Sequence, residues 1–349
     1  MCIEEDTSKP IDQDTRRLYV EELLPKINDL PLKALRKECI ANGISSRGKA
    51  KEVRKLLKHK LIKEFPDLSP SFHIREKRKE LGTPYDYFVV IDFECTCKQS
   101  DADDKYKLDV PSWDYEIIEF PAVIIDIKKK QIIGEFRKFV KPKLNPILTA
   151  FCTQLTGVKQ EDVDSAEPFP IVLEAFQNFL NQHGLDKDGT NYTIVTDGIN
   201  DIPNFFQFAL STYNLPFPHN FRTFVEVRQI FMDTFDINHG LNLEKIVQMT
   251  GVEFEGTPHR GIDDTRNIAR IVIFLLNKEI GIFATHKLVK RELLCIYPSR
   301  SHYKPRSRID AWYNKYNYGL IKLEAGDIIK NIHFRCDSCP ELEKPDPQS

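Results

Sequence analysis

The chain has 349 residues, a length that suits two or three domains and one sizeable hydrophobic core. Its formal net charge is −2 at pH 7, so the overall charge gives no argument for a nucleic-acid partner. No segment approaches the ~18 to 20 consecutive apolar residues of a membrane span, so we expect no membrane partner.

Charge is distributed unevenly along the chain. From Asp29 to Glu64 there are eleven Lys or Arg residues against four Asp or Glu, and residues 285–308 contain seven against one. The part between these basic segments is correspondingly acidic. This arrangement indicates a polyanion that is held at the edges of the protein and processed in its acidic middle.

The N-terminal part predicts a small helical module. Residues 1–26 are polar, with order expected only near the stretch LYVEELL, whereas residues 27–64 predict two short helices. The first helix ends near Gly43, since glycine readily ends a helix, and Ser45 or Ser46 can cap the second. The second helix turns four apolar residues inward: Val53, Leu56, Leu57 and Leu61.

Cations cover the outward side of this module. The turn SSRGK joins small residues, a glycine and two cations at a helix N-terminus, a combination that binds phosphate readily. A solvated helix surface is the alternative interpretation of the lysines. The segment resembles a SAP module, a helix–extended turn–helix unit that binds nucleic acid. The candidate RNA-binding residues are Arg47, Lys49, Lys51, Arg54, Lys55 and Lys58.

Residues 65–84 are predicted as a charged linker, and residues 85–278 as a mixed α/β domain. Apolar runs predict strands at 87–93, 116–127, 132–140, 192–196 and 221–227. Helices are expected near 146–156, 168–182, 202–213, 227–235, 242–250 and 262–278. Three strands come first, and strands and helices then alternate, so the pattern predicts a mixed sheet with helices on its faces.

Residues 279–349 predict a basic and aromatic extension, a composition that suits single-stranded nucleic acid. Zinc is one interpretation of its cysteines, and reduced thiols are the alternative. The candidate zinc ligands are His286, Cys295, His302, His333, Cys336 and Cys339. The eight cysteines of the chain follow no secreted disulfide spacing, so we expect a reducing compartment, the cytoplasm or the nucleus with its nucleolus.

Carboxylates in separate parts of the α/β domain predict one metal site. Asp92 and Glu94 follow the first strand and share one of its faces, because strand side chains alternate. A third acid follows the strand at 192–196, where Asp197 and Asp201 are equally good candidates. A second Asp-x-Glu pair, Asp114 and Glu116, lacks a preceding strand and is interpreted as loop or strand-edge acids.

A histidine and two further acids lie at the start of the last predicted helix. His259 precedes Asp263 and Asp264, and either acid can cap the helix while the other faces the metals. Carboxylate oxygens suit hard ions such as Mg²⁺ or Mn²⁺, and the histidine supplies a proton acceptor. Together these residues are the equipment for metal-assisted phosphodiester hydrolysis.

The set Asp-x-Glu, Asp and His-x₄-Asp resembles the DEDDh branch of the 3′-to-5′ exonuclease superfamily, which has an RNase H-like fold. Within it, the chain is similar to the histone-mRNA 3′-end exonucleases, also called enhanced-RNAi nucleases, whose layout is a SAP module, a linker and the nuclease. The similar stretches are IDFECT, EIIEFPAVI, FCTQLTGVKQEDVD, TDGINDIPNFF and PHRGIDDTRNIARI.

This resemblance implies a role for each site residue. Asp201 and Asp264 join Asp92 and Glu94 as the ligands of two Mg²⁺ ions, for which Mn²⁺ can substitute. Asp92 bridges the ions, and His259 takes the proton from the attacking water. The implied products are 5′-nucleoside monophosphates released from RNA 3′ ends.

The resemblance also implies contacts with the terminal nucleotide, for which core packing is the alternative. The residues concerned are Phe93, Phe151, Leu155 and Thr156. Relatives often have an aromatic residue where this chain has Asn200. Expected substrates and partners are duplex or stem-loop RNA, such as histone mRNA, ribosomal RNA with the ribosome, and small interfering RNA with silencing proteins. An RNA-binding adaptor and a DNA proofreading exonuclease are the alternative functions.

Overall fold

The computed structural model describes residues 12–98, 115–237, 240–290 and 318–323. The chain divides into two compact units. One comprises Met1–Lys77 with Thr234–Asp236, and the other comprises Arg78–Asp233 with Ile237–Ser349.

The N-terminal unit is helical. Its helices are α1 (Gln13–Leu23), α2 (Leu32–Ala41), α3 (Ala50–Glu64) and the first part of α4 (Pro70–Leu81). They enclose a small core that consists of Val20, Leu23, Ile27, Leu35, Cys39, Val53, Leu57, Leu61 and Phe65. As predicted, α2 ends before Gly43, whose φ of 65° lies in the left-handed region that glycine adopts without strain.

Four details of this unit differ from the sequence expectations. In the polar segment 1–26, α1 begins at Gln13, before the stretch LYVEELL where order was expected, and it contributes two core residues. The charged segment 65–84, expected to be a linker, contains α4. Leu56 is 46% exposed rather than buried. The N-cap of α3 is Lys49, whose N–H bonds Glu52 at 3.0 Å, so neither predicted serine caps this helix.

In the described part of the chain, the second unit is built on a nine-stranded mixed sheet. Its strands are β1 (Tyr87–Ile91), β2 (Glu94–Cys95), β3 (Ile117–Asp126), β4 (Gln131–Lys141), β5 (Glu167–Pro168), β6 (Tyr192–Thr196), β7 (Thr223–Glu226), β8 (His286–Lys290) and β9 (Tyr318–Lys322). The order across the sheet is β5-β4-β3-β1-β6-β7-β8-β9, with β2 pairing beside β3. β1, β6 and β7 are parallel to one another, so their carboxyl ends meet at one edge of the sheet.

Helices flank this sheet. They are α5 (Ala150–Thr156), α6 (Gln160–Asp164), α7 (Phe169–Gln182), α8 (Gln207–Thr212), α9 (Val227–Phe235), α10 (Leu243–Met249) and α11 (Gly261–Asn277). α11 packs against β1 and β3, and α7 packs against β4. Aromatic rings fill the core on the α7 side, where Phe206 stacks on Phe221 with a centroid separation of 4.2 Å and Phe120 contacts Phe176 at 4.7 Å. This core supports the sheet directly beneath the carboxyl end of β1.

The mixed sheet with flanking helices confirms the predicted fold class. All five predicted strands are present, and the bounds of β6 equal the expectation. Sequence reasoning missed β8 and β9, which place part of the 279–349 segment in the same sheet. It also missed that the segment Asp201–Phe206 is a π-helix that continues into α8.

Candidate active site

Asp92 and Glu94 stand at the carboxyl end of β1, on either side of a buried phenylalanine. Phe93 is 6% exposed, and its ring packs against Phe120 and Phe206 at 4.7 and 6.0 Å. Because side chains alternate along an extended chain, the two acids point to the opposite side. Both are half-buried. The apolar residue between them therefore anchors the pair to the core.

Asp201 reaches this pair from the neighbouring parallel strand. It begins the π-helical segment after β6, is 5% exposed, and its Oδ1 accepts a hydrogen bond of 2.9 Å from the backbone N–H of Phe93. A π-helix is rare and occurs frequently at functional sites. The alternative acid, Asp197, is instead paired with Arg228, whose Nε lies 3.2 Å from Asp197 Oδ1. The structure thus ties Asp201 to the backbone of the segment Asp92–Glu94, which is called the first motif below.

The N-terminal end of α11 supplies Asp264, which is 7% exposed. This end lies very close to the first motif, since a Cβ added at Gly261 would lie 3.2 Å from the carbonyl oxygen of Asp92 and 3.2 Å from Cγ of Glu94. Asp263 turns elsewhere, accepting from the N–H of Thr257 at 3.0 Å. Asp264, rather than Asp263, therefore faces the other acids.

His259 is exposed and held beside Asp264. Its backbone N–H donates to Asp264 Oδ2 at 2.9 Å, and its φ of 63° lies in the left-handed region. A non-glycine residue in that region costs free energy, and such strain clusters at functional sites. The histidine is thus positioned by the same carboxylate that belongs to the acidic cluster, and its ring is open to a substrate.

Burial and mutual repulsion raise the pKa values of the carboxylates in this cluster. Burial, with repulsion from Asp264 next, raises the pKa of Glu94 to about 9. Burial likewise raises the pKa of Asp201 and of Asp264 to about 7. The pKa of Asp92 is raised by burial and then by repulsion from Asp201, Glu94 and Asp264. Four ionised carboxylates at this place require cations beside them.

The donor set suits hard divalent ions, because all four ligand candidates offer carboxylate oxygens. Within the described residues, no group of three or more His, Cys, Asp or Glu side chains is already arranged to hold a metal ion.

Sequence reasoning overlooked Glu119, a fully buried acid opposite Glu94 in the β2–β3 register. Its Oε1 accepts from Arg137 Nε at 2.7 Å and from the N–H of Ile262 at 3.3 Å. Its Oε2 has no hydrogen-bond partner within the described parts of the chain. The available signal was an acid inside a continuous apolar run, where a charge is costly unless it has a role.

Glu116 has a structural role. Its carboxylate accepts from the backbone N–H groups of Lys143, Leu144 and Asn145 at 2.6 to 2.9 Å. The interpretation of Glu116 as a strand-edge acid agrees with this position, and Asp114 lies outside the described residues. Glu116 thereby fixes the loop that leads into α5.

The residues expected to contact a nucleotide have unequal surroundings. The ring of Phe93 belongs to the core, as described above. Thr156 is buried, donating from its hydroxyl to Cys152 O at 2.9 Å and accepting from the N–H of Val158 at 3.1 Å, so it holds its own turn. Leu155 is 38% exposed and Phe151 is half-buried. Leu155 therefore has the largest exposed fraction of these four residues.

Asn200 caps the π-helical segment. Its backbone carbonyl accepts from the N–H of Asn204 at 3.0 Å and of Phe205 at 3.2 Å, and its side chain accepts from Asn204 Nδ2 at 2.8 Å. The residue is exposed. Asparagine is suited to this position, since its side chain reinforces the turn that presents Asp201.

In the N-terminal unit, the predicted basic residues differ in availability. Arg54 donates to the carbonyls of Ile27 and Leu30 at 3.3 and 2.9 Å, so it ties α3 to the preceding segment. Arg47, Lys49, Lys51 and Lys55 are exposed, and Lys58 is half-buried. Arg54 thus has a structural task, which the exposed side chains of the set do not share.

Of the six candidate zinc ligands, only His286 is described. It is buried on β8, where Nδ1 lies 2.9 Å from the hydroxyl of Thr285 and Nε2 lies 3.7 Å from Glu226. The other candidates, Cys295, His302, His333, Cys336 and Cys339, lie outside the described residues. In the described part of the chain, helices long and apolar enough to cross a membrane are absent.

Comparison with known proteins gives a consistent result. The sequence matches the Exonuclease family (RNase_T) over residues 89–272. It is 30% identical to 3′-5′ exoribonuclease 1 of Homo sapiens over 218 residues, which are 62% of this chain and 59% of that relative, so the chain spans about three fifths of the relative's length.

Two solved structures are similar to this chain. One is described as 3′-end specific recognition of histone mRNA stem-loop by 3′-exonuclease, with a TM-score of 0.54 and 29% identity, and the match covers 58% of this chain and 87% of that chain. The other is the nuclease domain of 3′hExo, a DEDDh family member, bound to rAMP, with a TM-score of 0.55 and 29% identity, covering 59% and 99%.

Proposed function

Because this chain belongs to the exonuclease family and its matched domain is a 3′-5′ exoribonuclease, we propose that the whole protein trims the 3′ ends of structured or short double-stranded RNA. The observation that carries this proposal is the gathering of four carboxylates and one exposed histidine at the carboxyl end of β1. These are the five residues of the DEDDh pattern, and they come from three separate segments.

Exonucleases of this family use divalent metal ions, and we propose two Mg²⁺ ions here, for which Mn²⁺ can substitute. Asp92, Glu94, Asp201 and Asp264 would hold them. Bound at this place, the ions would generate a nucleophilic water and offset the charge that develops on the scissile phosphate. The raised pKa values of these four acids support the proposal, since cations would favour their ionised forms.

The residues of the chain itself would position the reaction. His259 would accept the proton of the attacking water, and its exposed ring suits that role. Asp264 would orient His259 through the backbone hydrogen bond between them. Asp201 would be held in place by the N–H of Phe93. Leu155, with its exposed apolar side chain, would contact the terminal nucleotide.

The preference for structured RNA rests on two observations. A similar structure is described with a histone mRNA stem-loop. The exposed cations of the N-terminal unit, including Arg47, Lys51 and Lys55, would form a surface that binds phosphates independently of sequence. Candidate substrates are histone mRNA, ribosomal RNA on or off the ribosome, and small interfering RNA with silencing proteins, and we propose that the protein acts in the cytoplasm and the nucleus or nucleolus.

The test is a nucleotide-release assay with purified full-length protein. A short RNA duplex with a 3′ overhang, labelled at its 5′ end, should be shortened stepwise in Mg²⁺ with release of 5′-nucleoside monophosphates, and EDTA should stop the reaction. Asp92→Asn and His259→Ala should each lower the rate at least ~100-fold, which for His259 is the lower end of the ~10²–10⁴ range typical for a general base.

Asp126→Asn is the matched control. Asp126 lies at the end of β3 that pairs with the amino end of β1, away from the acid cluster, and it forms an ion pair with Lys129 at 2.8 Å. This variant should keep the wild-type rate. Wild-type activity in His259→Ala would overturn the assigned chemistry. A DNA strand of the same sequence, if degraded faster than RNA, would favour a DNA exonuclease. Rescue of cellular function by Asp92→Asn would favour an RNA-binding adaptor.

A further inference from the structure

Arg260 follows the candidate general base directly and remains without an assigned task. Its side chain is exposed. It lies over the turn that ends α5, because a Cβ added at Gly157 would be 3.1 Å from Arg260 Nε. Among the residues that the structure describes, its guanidinium has no ion-pair or hydrogen-bond partner. A cation therefore stands between His259 and the turn that presents Leu155.

The same side chain lines a polar recess of about 300 Å³. The volume falls at the lower end of the range of small-molecule sites, so it can receive a phosphate with its solvation. The residues that line the recess are Glu135, Phe136, Arg137, Arg260, Ile262, Asp263 and Arg266. It lies beside the carboxylate cluster, since the N–H of Ile262 and the guanidinium of Arg137 both bond Glu119, the neighbour of Glu94 in the sheet.

Two of the three arginines that line the recess form ion pairs with described residues. Arg266 bonds both carboxylate oxygens of Glu135, with its Nη2 at 2.6 Å from Oε2, and lies 3.3 Å from Asp263 Oδ1. Arg137 pairs with Glu119 at 2.7 Å. Arg266 thus engages both acids of the recess wall, and Arg260 is the arginine of this recess that has no ion-pair partner among the described residues. Such a cation favours an anionic ligand.

We propose that Arg260 binds a backbone phosphate of the RNA strand at this recess, next to the scissile phosphate, and so sets the affinity of the site for its substrate. The inference rests on the proposed function. A guanidinium matches phosphate with two donors at once, and contacts with phosphate position a strand without reading its sequence. Arg260 is a binding residue in this account, and His259 keeps the proton transfer.

The experiment uses full-length protein and a single-stranded RNA pentanucleotide. Arg260→Gln should raise the KM for release of the 3′ nucleotide about tenfold, with kcat within twofold of wild type. In an Asp92→Asn background, where the RNA stays intact, fluorescence anisotropy should give a slope of log Kd against log salt that is lower by about 0.7, the value for one lost contact to single-stranded nucleic acid.

Two further variants separate binding from structure. Arg260→Lys keeps the charge and should retain the salt slope. Arg270→Gln removes one positive charge from the same helix, but Arg270 is paired with Glu255 at 3.2 Å, so KM and the salt slope should stay at the wild-type values. Melting temperatures identify any variant that loses its fold.

An unchanged KM and salt slope in Arg260→Gln would overturn the proposal, and so would an equal effect of Arg270→Gln. Loss of kcat without a change in the slope would assign Arg260 to positioning of His259 instead. Failure of the proposed function would look different, because the wild type itself would release no mononucleotide. The binding measurement would still decide whether Arg260 contacts phosphate.

Discussion

Replacement of Gly261 by alanine tests how closely the start of α11 must approach the first motif. An added Cβ would lie 3.0 Å from Cγ of Pro121 and 3.2 Å from both Asp92 O and Glu94 Cγ. Ordinary van der Waals contacts of a Cβ begin at 3.4 Å. The helix start and the first motif must therefore separate by about 0.2–0.4 Å. Because Asp264 lies on one side of this contact and Asp92 on the other, the separation widens the carboxylate cluster.

We expect Gly261→Ala to lower kcat more than it lowers the free energy of unfolding. A misplacement of ~1 Å in an active site can cost ~10²-fold in rate, and productive sites tolerate ~0.5 Å, so a few tenths of an ångström should lower kcat roughly three- to tenfold. Overpacking costs ~1–3 kcal/mol, and exchange of glycine for alanine in a helix returns ~0.5–1 kcal/mol. Gly261→Val should enlarge both effects.

The assay is single-turnover release of the 3′ nucleotide, with urea denaturation of each variant. Gly240→Ala is the control, because a Cβ at Gly240 meets no atom of the described residues within 4 Å. Wild-type rates in both Gly261 variants would refute the close-approach argument. An equal loss of rate in Gly240→Ala would also refute it.

Three further predictions concern stability. Phe206→Ala should cost ~3–5 kcal/mol of unfolding free energy, because its fully buried ring stacks on a neighbour at 4.2 Å, and a loss below 1 kcal/mol by urea denaturation would contradict this. Glu116→Gln should cost ~1–2 kcal/mol and speed proteolysis near residues 143–145, whose N–H groups it accepts, and unchanged cleavage would contradict this. Burial raises the pKa of Glu226 to about 7, above its unfolded value, so the folded state binds the extra proton and stability falls as pH rises from about 4.5 to 7. Glu226→Gln should therefore melt higher than wild type at pH 8 and near wild type at pH 4.5, whereas an equal difference at both pH values would speak against it.

The central strands could be predicted from the sequence because burial on both faces gives them a local signature. β3 is buried at every position, and β6 is a short apolar run whose bounds match the expectation. The helix α4 escaped prediction because its sequence is highly charged and distant residues hold its end. The guanidinium of Arg78 lies 4.5 Å from the ring centre of Phe283 and donates to Gly281 O at 3.1 Å, about two hundred positions along the chain.

The choice among the candidate acids likewise depends on contacts with residues that are distant in sequence. Asp197 and Asp201 are equivalent by local pattern, and only the family resemblance separated them. The structure shows that the two acids have different partners. Arg228, 31 residues away in sequence, donates to Asp197, whereas the N–H of Phe93, 108 residues away, donates to Asp201. Glu119 was invisible for a similar reason, because its importance lies in which strand it faces. Periodicity locates a residue on an element but does not identify its partners in space.

The placement of β8 and β9 determines where this protein can be shortened. A chain cut after residue 278, the end of the domain expected from sequence, would lose both strands and leave β7 as the border of the sheet. It would also uncover the ring of Phe224, on which His286 stacks at 5.3 Å. An unpaired apolar border invites pairing with other chains and aggregation. A recombinant exonuclease fragment should therefore continue through residue 323 to remain soluble.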